Sequence, residues 1–237
     1  MTTTPARPPA RGPRITADRL IGAARSLLVA GGTDAVVVRE VARSLEVAPS
    51  ALYKHVDGRD GLLTLLIAQL FDELAGTVTA AVVAEPPDAH RARLAAATEG
   101  LRSWARRHPS EFDLLFGIPV LGYRAPQDGP TTAAAQRFGT AFLRVFLAAR
   151  DAGRLRVRDD TGLPDGIAAQ LRARADGGPF ADLAPGELYP VVVGYQRMLG
   201  LVMIEVAGQL SWALDDPARL TDEQLERLAD ELLTPGP

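Results

Sequence analysis

The 237-residue sequence predicts an all-α protein: a small N-terminal head of three helices, joined by one long helix to a larger helical body. Three observations carry that expectation. Apolar residues recur at i, i+3, i+4 and i+7 in segment after segment, the spacing that keeps one helix face dry. No segment shows the strict alternation of a half-buried strand, and no internal repeat is visible. Gly-Pro clusters such as Gly31-Gly32, Pro86-Pro87 and Gly177-Gly178-Pro179 punctuate the segments where helices stop.

Taken in order, residues 1–14 form a Pro-rich basic arm with Arg7, Arg11 and Arg14, expected to be disordered when free. Thr16 caps a helix containing Leu20, Ile21, Ala24, Leu27 and Leu28, which Gly31-Gly32 ends. Val38, Val41, Ala42 and Leu45 make the stripe of a second, short helix. After a break at Glu46-Val47-Ala48 another short helix begins at Pro49, a residue suited to a first helical position because that amide has no intrahelical partner. It turns Leu52 and Val56 inward and leaves Pro49, Ser50, Tyr53, Lys54 and His55 largely outward. Two short helices joined by a tight turn, the second bearing small, hydroxyl, aromatic and cationic residues, fit a helix-turn-helix.

Asp57-Gly58 marks a turn, and a long helix follows from about Arg59 to Ala84 with Leu62, Leu63, Leu66, Leu70, Phe71 and Leu74 on its buried side. The head is thus expected over 15–60 and the body over 61–237. In the body, helices are expected at Asp88–Arg107, from His108-Pro109 through Phe116, and at Thr132–Ala152, the last with Phe138, Phe142, Val145 and Phe146 on one face and Gly153 closing it. Residues 117–130 read as loop, and a weaker helix lies near Leu163–Ala175. Leu188–Leu214 is the most apolar stretch, and such all-round hydrophobicity needs partners on more than one side. Thr221-Asp222-Glu223-Gln224 is expected to cap a last helix through Leu233.

The stretch Arg39-x-Val41-Ala42-x-x-Leu45-x-Val47, then Ala51-Leu52-Tyr53-Lys54-His55-Val56 and Arg59-Asp60-x-Leu62-Leu63, resembles the DNA-binding segment of the tetracycline-repressor (TetR) family. Two positions depart from that pattern. Glu46 replaces the usual turn glycine, where a left-handed backbone costs a side chain about 1 kcal/mol. Val37 replaces the usual Ser or Thr cap, an acceptor worth about 1 kcal/mol. Further on, Trp104-x-x-x-His108-Pro109-x-x-Phe112-x-Leu114-Leu115-Phe116-Gly117 and Gly200-Leu201-Val202-x-x-Glu205 look like the effector domain common in actinobacterial members, although the later Trp-x-x-x-His pair is Tyr195 and Leu199 here.

The resemblance implies a regulator of transcription, most simply a homodimeric repressor on a palindromic DNA operator. Ser50, Ala51 and Lys54 would face the major groove, with Pro49 or Ala51 against a thymine methyl. Tyr53, His55, Arg39 and Arg59 would meet the phosphate backbone. For each the alternative is a solvated surface residue, as Arg43 is taken to be. The basic arm is either a solvated tail or a source of extra phosphate contacts. The apolar stretch 188–214, with 221–233 beside it, is the expected two-fold contact, against the alternative of an internal core helix. The resemblance also implies a small-molecule effector of unknown identity. Trp104, Phe112, Phe116, Phe142, Phe146, Tyr195 and Met198 are candidates to line its pocket, with Gln196 or Arg197 orienting a polar group, although aromatic residues at helical spacing are also ordinary core.

Composition narrows the alternatives. The chain has no cysteine, so disulfides and thiolate metal sites are excluded, which suits a reducing cytoplasm. No 18-residue uncharged apolar run argues for a membrane span, and the N-terminus lacks the apolar core of a secretory signal. Residues 1–60 carry nine Lys+Arg against six Asp+Glu, and the rest 17 against 23: a basic head on an acidic body, as expected when only the head meets a polyanion. His55, His90 and His108 are scattered with no metal spacing, and no nucleophile-elbow or phosphate-loop motif occurs. No cofactor, metal or catalytic residue is therefore expected. A DNA-binding dimer without small-molecule control is the main rival reading, and an all-α enzyme the remote one.

Overall fold

The computed structural model describes residues 15–175, 180–181 and 183–234; the 1–14 arm and Gly177-Gly178-Pro179 lie outside them. Among the described residues ten α-helices follow one another: α1 (Ala17–Ala35), α2 (Val38–Ser44), α3 (Pro49–Leu52), α4 (Gly58–Val83), α5 (His90–Arg107), α6 (Pro109–Phe116), α7 (Pro130–Asp151), α8 (Asp165–Ala175), α9 (Pro185–Val206) and α10 (Pro217–Leu232). The all-α expectation holds. Among the described residues the one extended pairing is an isolated antiparallel bridge, Leu155 with Leu233, which pins the end of α10 to the chain just after α7.

Local chemistry explains several helix ends. Thr16 Oγ1 accepts from the Arg19 amide at 3.3 Å, the cap expected for α1. Backbone angles leave the helical region at Gly31 and Gly32 (φ 70°), and one further turn runs on to Ala35. Three helices end in the same way, with a left-handed residue followed by an amide that reaches back five residues. In α7 this is Gly153 (φ 65°), with Arg154 N–H on Ala149 O at 2.7 Å. In α9 it is Gly208 (φ 64°), with Gln209 N–H on Ile204 O at 3.1 Å. In α2 the residue is Glu46 (φ 57°), with Val47 N–H on Ala42 O at 3.0 Å. The turn keeps the glycine conformation without the glycine.

Several expected boundaries change. The most apolar stretch is helical only to Val206, where Gly208 stops it, and residues 207–213 form turns. The helix also opens earlier than that stretch, at Pro185-Gly186, with the proline at its first position. Pro190 sits inside that helix, and the carbonyl it cannot serve, Gly186 O, accepts instead from the Arg158 amide at 3.2 Å. Thr221 is not a cap: α10 starts earlier at Pro217, and Thr221 is buried with its hydroxyl toward Pro217 O.

α4 organises the packing. Leu62, Leu63, Leu66, Leu70, Leu74, Val78 and Val82 are all buried along it, and it lies against α1, α5, α6 and α7. By length and hydropathy α4 would also suit a bilayer, but these side chains are core here, and Asp72 and Glu73 interrupt its middle. Its first turns join the head core of Leu20, Ala24, Leu28, Val36, Val41, Ala42 and Leu52. Its later turns join Leu94, Ala97, Leu101, Trp104, Phe138, Phe142 and Val145. Head and body thus share one continuous apolar cluster. A smaller one under α8 gathers Leu143, Leu163, Leu171, Leu183 and Leu188.

Candidate functional site

The second helix of the head-end pair, α3, is a single turn resting on its apolar side. Leu52 is fully buried and Val56 is 6% exposed, both inside the head core. Helical geometry ends at Leu52, short of the Val56 expected, and the chain tightens through Tyr53-Lys54-His55, with His55 and Val56 amides both on Leu52 O. Pro49, Ser50, Lys54 and His55 are exposed, Tyr53 is 62% exposed, and Ala51 is partly so. The outward set expected from the sequence is therefore gathered on one projecting turn.

α2 stands behind it. Val37 precedes α2 with no side-chain cap, as its chemistry requires. Arg39 is 83% exposed in its side chain, 3.5 Å from Glu40 Oε1, and Arg43 Nε donates to Glu40 Oε2 at 2.9 Å. Arg59, expected at phosphate, is engaged within the head itself. Its Nη2 donates to Thr33 O at 2.8 Å and its Nε to Val36 O at 3.3 Å, so the guanidinium ties the start of α4 to the chain leaving α1.

A second polar constellation lies where head meets body. Arg25 of α1 donates through Nη1 to Glu73 Oε2 of α4 at 2.8 Å, and through Nε to Glu111 Oε1 of α6 at 2.8 Å. Arg25 Nη2 also meets His108 Nδ1 at 3.2 Å. The Trp104 indole N–H donates to the other Glu73 oxygen at 2.8 Å. Burial alone would lower the Arg25 pKa, but hydrogen bonds and charge from Glu73 and Glu111 outweigh it and raise it. For Glu73 burial pushes up, while hydrogen bonds from Arg25 and Trp104 pull further, so its carboxyl titrates below the ordinary range.

Two cavities flank α9. One, of about 320 Å³, lies between α5, α9 and α10 against Phe146 of α7, with Leu94, Thr98, Met198 and Leu228 as walls. At its rim Arg102, 4% exposed, is held by Glu205 Oε1 at 2.9 Å, by Ala218 O at 3.0 Å and by Asp222. The other, about 210 Å³ and apolar, lies between α7 and α9 and is lined by Phe142, Phe146, Val192 and Tyr195 among others. Four of the seven expected pocket residues, Phe142, Phe146, Tyr195 and Met198, border one or both. Trp104, Phe112 and Phe116 border neither. Trp104 and Phe112 are core, and Phe116 packs between Phe71 and Phe138 at centroid distances of 5.7 Å. Gln196 is exposed, and Arg197 pairs with Glu231.

Comparison with known proteins decides the family. Residues 20–66 match the family of bacterial regulatory proteins, tetR family, and residues 94–228 match the tetracyclin repressor-like C-terminal domain. The HTH-type transcriptional regulator Rv1816 of Mycobacterium tuberculosis is 31% identical over 213 residues, 89% of each chain. The chain belongs to the TetR family of transcriptional regulators. Among solved structures, SCO4313, assigned as a regulatory protein, is 25% identical with a TM-score of 0.70, covering 90% of this chain and 94% of that one. A protein of unknown function from Rhodococcus sp. RHA1 shares the fold, at 20% identity and a TM-score of 0.68, covering 97% and 100%.

Within this TetR-family regulator, sequence reasoning missed the Arg25 constellation. Trp104 and His108 lie four residues apart at the end of α5, but nothing local points to Arg25, 83 residues from His108. A faint signal was present: an arginine directly beside Ala24 in the buried stripe of α1. Glu205, which in the sequence carries only a family resemblance, has a partner in Arg102, both side chains 7% exposed or less.

Proposed function

We propose that this TetR-family regulator binds a palindromic double-stranded operator as a cytoplasmic homodimer, represses, and is released by a small molecule. It is a binding protein rather than an enzyme, with no membrane role. The observation that carries the reading is the projecting turn at 49–55, whose polar and cationic side chains are exposed over a fully buried Leu52. A major groove accepts such a turn, with Lys54 donating to guanine O6 or N7 and Ser50 to a base edge or phosphate. In this reading Tyr53, His55 and Arg39 meet backbone phosphates, which their exposure supports.

Two further observations support the finer parts. One head offers few base contacts, so affinity calls for two heads on half-sites roughly 34–36 Å apart or a multiple of that. α9 leaves the large apolar side chains Val192, Tyr195 and Ile204 46%, 36% and 41% exposed, more apolar surface than a helix facing only its own core would show, which supports a two-fold contact along it. The 320 Å³ cavity, with apolar walls and charged groups at one end, suits a small effector. An effector acts only if it binds the released state more tightly than the DNA-bound one.

The test is selection of binding sites from a random duplex library, followed by affinity for the winner across a salt series. A palindromic consensus with a steep salt slope supports the reading, and Lys54→Ala should lower affinity for it. No enriched sequence from folded, refolded protein would sink it. Thermal shift against a metabolite library separates ligand control from a constitutive dimer, because a binder of the native state raises its melting temperature.

A further inference from the structure

We propose that Arg25 is the positioning residue that fixes the angle of the head on the body, acting through the α5–α6 corner as well as through α4. The apolar contacts of α1 with α4 and α6 hold the head on but are non-directional, and packed helices can slide by small shear. Arg25 adds direction. Its planar fork meets Glu73 on α4, Glu111 on α6 and His108 between α5 and α6, three positions that fix a plane. α2 packs on α1, so the outlook of the 49–55 turn follows wherever α1 is held.

The surroundings make this contact selective between two arrangements. Glu111 has a side chain only 4% exposed, and among the described residues Arg25 is its one hydrogen-bonding side chain. His108 Nδ1 lies 3.8 Å from the same Glu111 oxygen, and its Nε2 3.8 Å from Glu73 Oε1. If α1 shifted and took Arg25 with it, Glu111 would lose the side chain that hydrogen-bonds it here, a loss that a buried charge resists strongly. The head is therefore held at one angle until the whole contact gives way. α5 carries Thr98 and Arg102 at the larger of these two cavities, and Trp104, less than a turn beyond Arg102, at Glu73. A body event that moves the end of α5 reaches Arg25 through two hydrogen bonds.

The test uses the full chain, which has no cysteine, so label sites can be added cleanly at exposed positions. Ser50→Cys and Gln136→Cys place one spin label on the head and one on α7. Labelled chains diluted in excess unlabelled protein report the distance within one chain by pulsed electron paramagnetic resonance. The expected result is a narrow distribution with Arg25 present, and a broadened or displaced one in Arg25→Ala. Arg25→Lys, which keeps charge but not the fork, should broaden it too. Glu111→Gln serves if Arg25→Ala fails to fold, and should broaden the distribution through loss of the charged acceptor. An unchanged distribution in folded Arg25→Ala and Glu111→Gln would overturn the proposal. A second arm rests on the homodimer reading: affinity for operators whose half-site spacing is changed by one base pair. Wild type should discriminate, and Arg25→Ala should lose discrimination by roughly three- to tenfold while core base preferences persist. Absence of spacing preference in wild type would count against the dimer, and the label arm would still decide Arg25.

Discussion

Glu46 is the residue whose conformation and chemistry disagree most. It occupies the left-handed position that Gly153 and Gly208 fill in the equivalent turns after α7 and α9. A Cβ in that region meets the following carbonyl, so the turn between α2 and α3 is held by its neighbours against a local preference. Glu46→Gly should raise unfolding stability by about 0.5–1 kcal/mol, the strain relieved less the extra freedom glycine has when unfolded. The measurement is the urea midpoint at unchanged slope. A lower midpoint in the variant would mean the glutamate side chain contributes more than its backbone costs.

At the scale of elements, Arg59 shows how a residue's role depends on what its helix start touches. Sequence alone puts it at the mouth of α4, where a phosphate contact is natural. In the fold it is engaged by Thr33 O and Val36 O and is 28% exposed in its side chain. Arg59→Ala should therefore cost the head about 1–2 kcal/mol, the worth of charge-assisted bonds in a half-buried setting, and leave the salt slope of DNA binding unchanged. A slope flattened by about one phosphate with unaltered melting would return Arg59 to the DNA. The same contrast explains what was legible. Caps and breakers such as Thr16, Pro49 and Gly153 act within a few residues, so they can be read off the chain. The exposed face of 49–55 follows from the burial of Leu52 and Val56 on a single turn. The α9 boundary was missed because apolar content runs on past Val206, and only the backbone of Gly208 stops it. The Arg25 contact leaves only a faint local signal because its partners come from 48, 83 and 86 residues away.

For the whole molecule, the ionic contact between head and body sets a response to acid. The folded Glu73 carboxyl titrates below its ordinary value of 4.5, held there by Arg25 and Trp104 against the opposing effect of burial. A depressed carboxylate contributes stability that is fully present above the unfolded value and is lost as pH falls through the folded one. Thermal stability should therefore decline on acidification below about pH 5, and Glu73→Gln should flatten that decline while lowering stability at neutral pH. Equal slopes in the two proteins would mean Glu73 is not what acid disrupts.

That α4 belongs to both cores carries a consequence for exchanging parts between regulators. There is no linker at which the head could be cut away; any junction must pass through a continuous helix, and helices carry phase. One residue inserted in α4 between Leu66 and Leu70 would turn everything on one side by about 100° and advance it by about 1.5 Å. The leucines of the two ends would then face different directions, and Glu73 would swing out of reach of Arg25. Four inserted residues nearly restore the phase and leave a displacement of about 6 Å. Chimeras built on this scaffold should thus express as folded protein when the graft preserves helical register, and aggregate when it does not, whichever reading turn is grafted on.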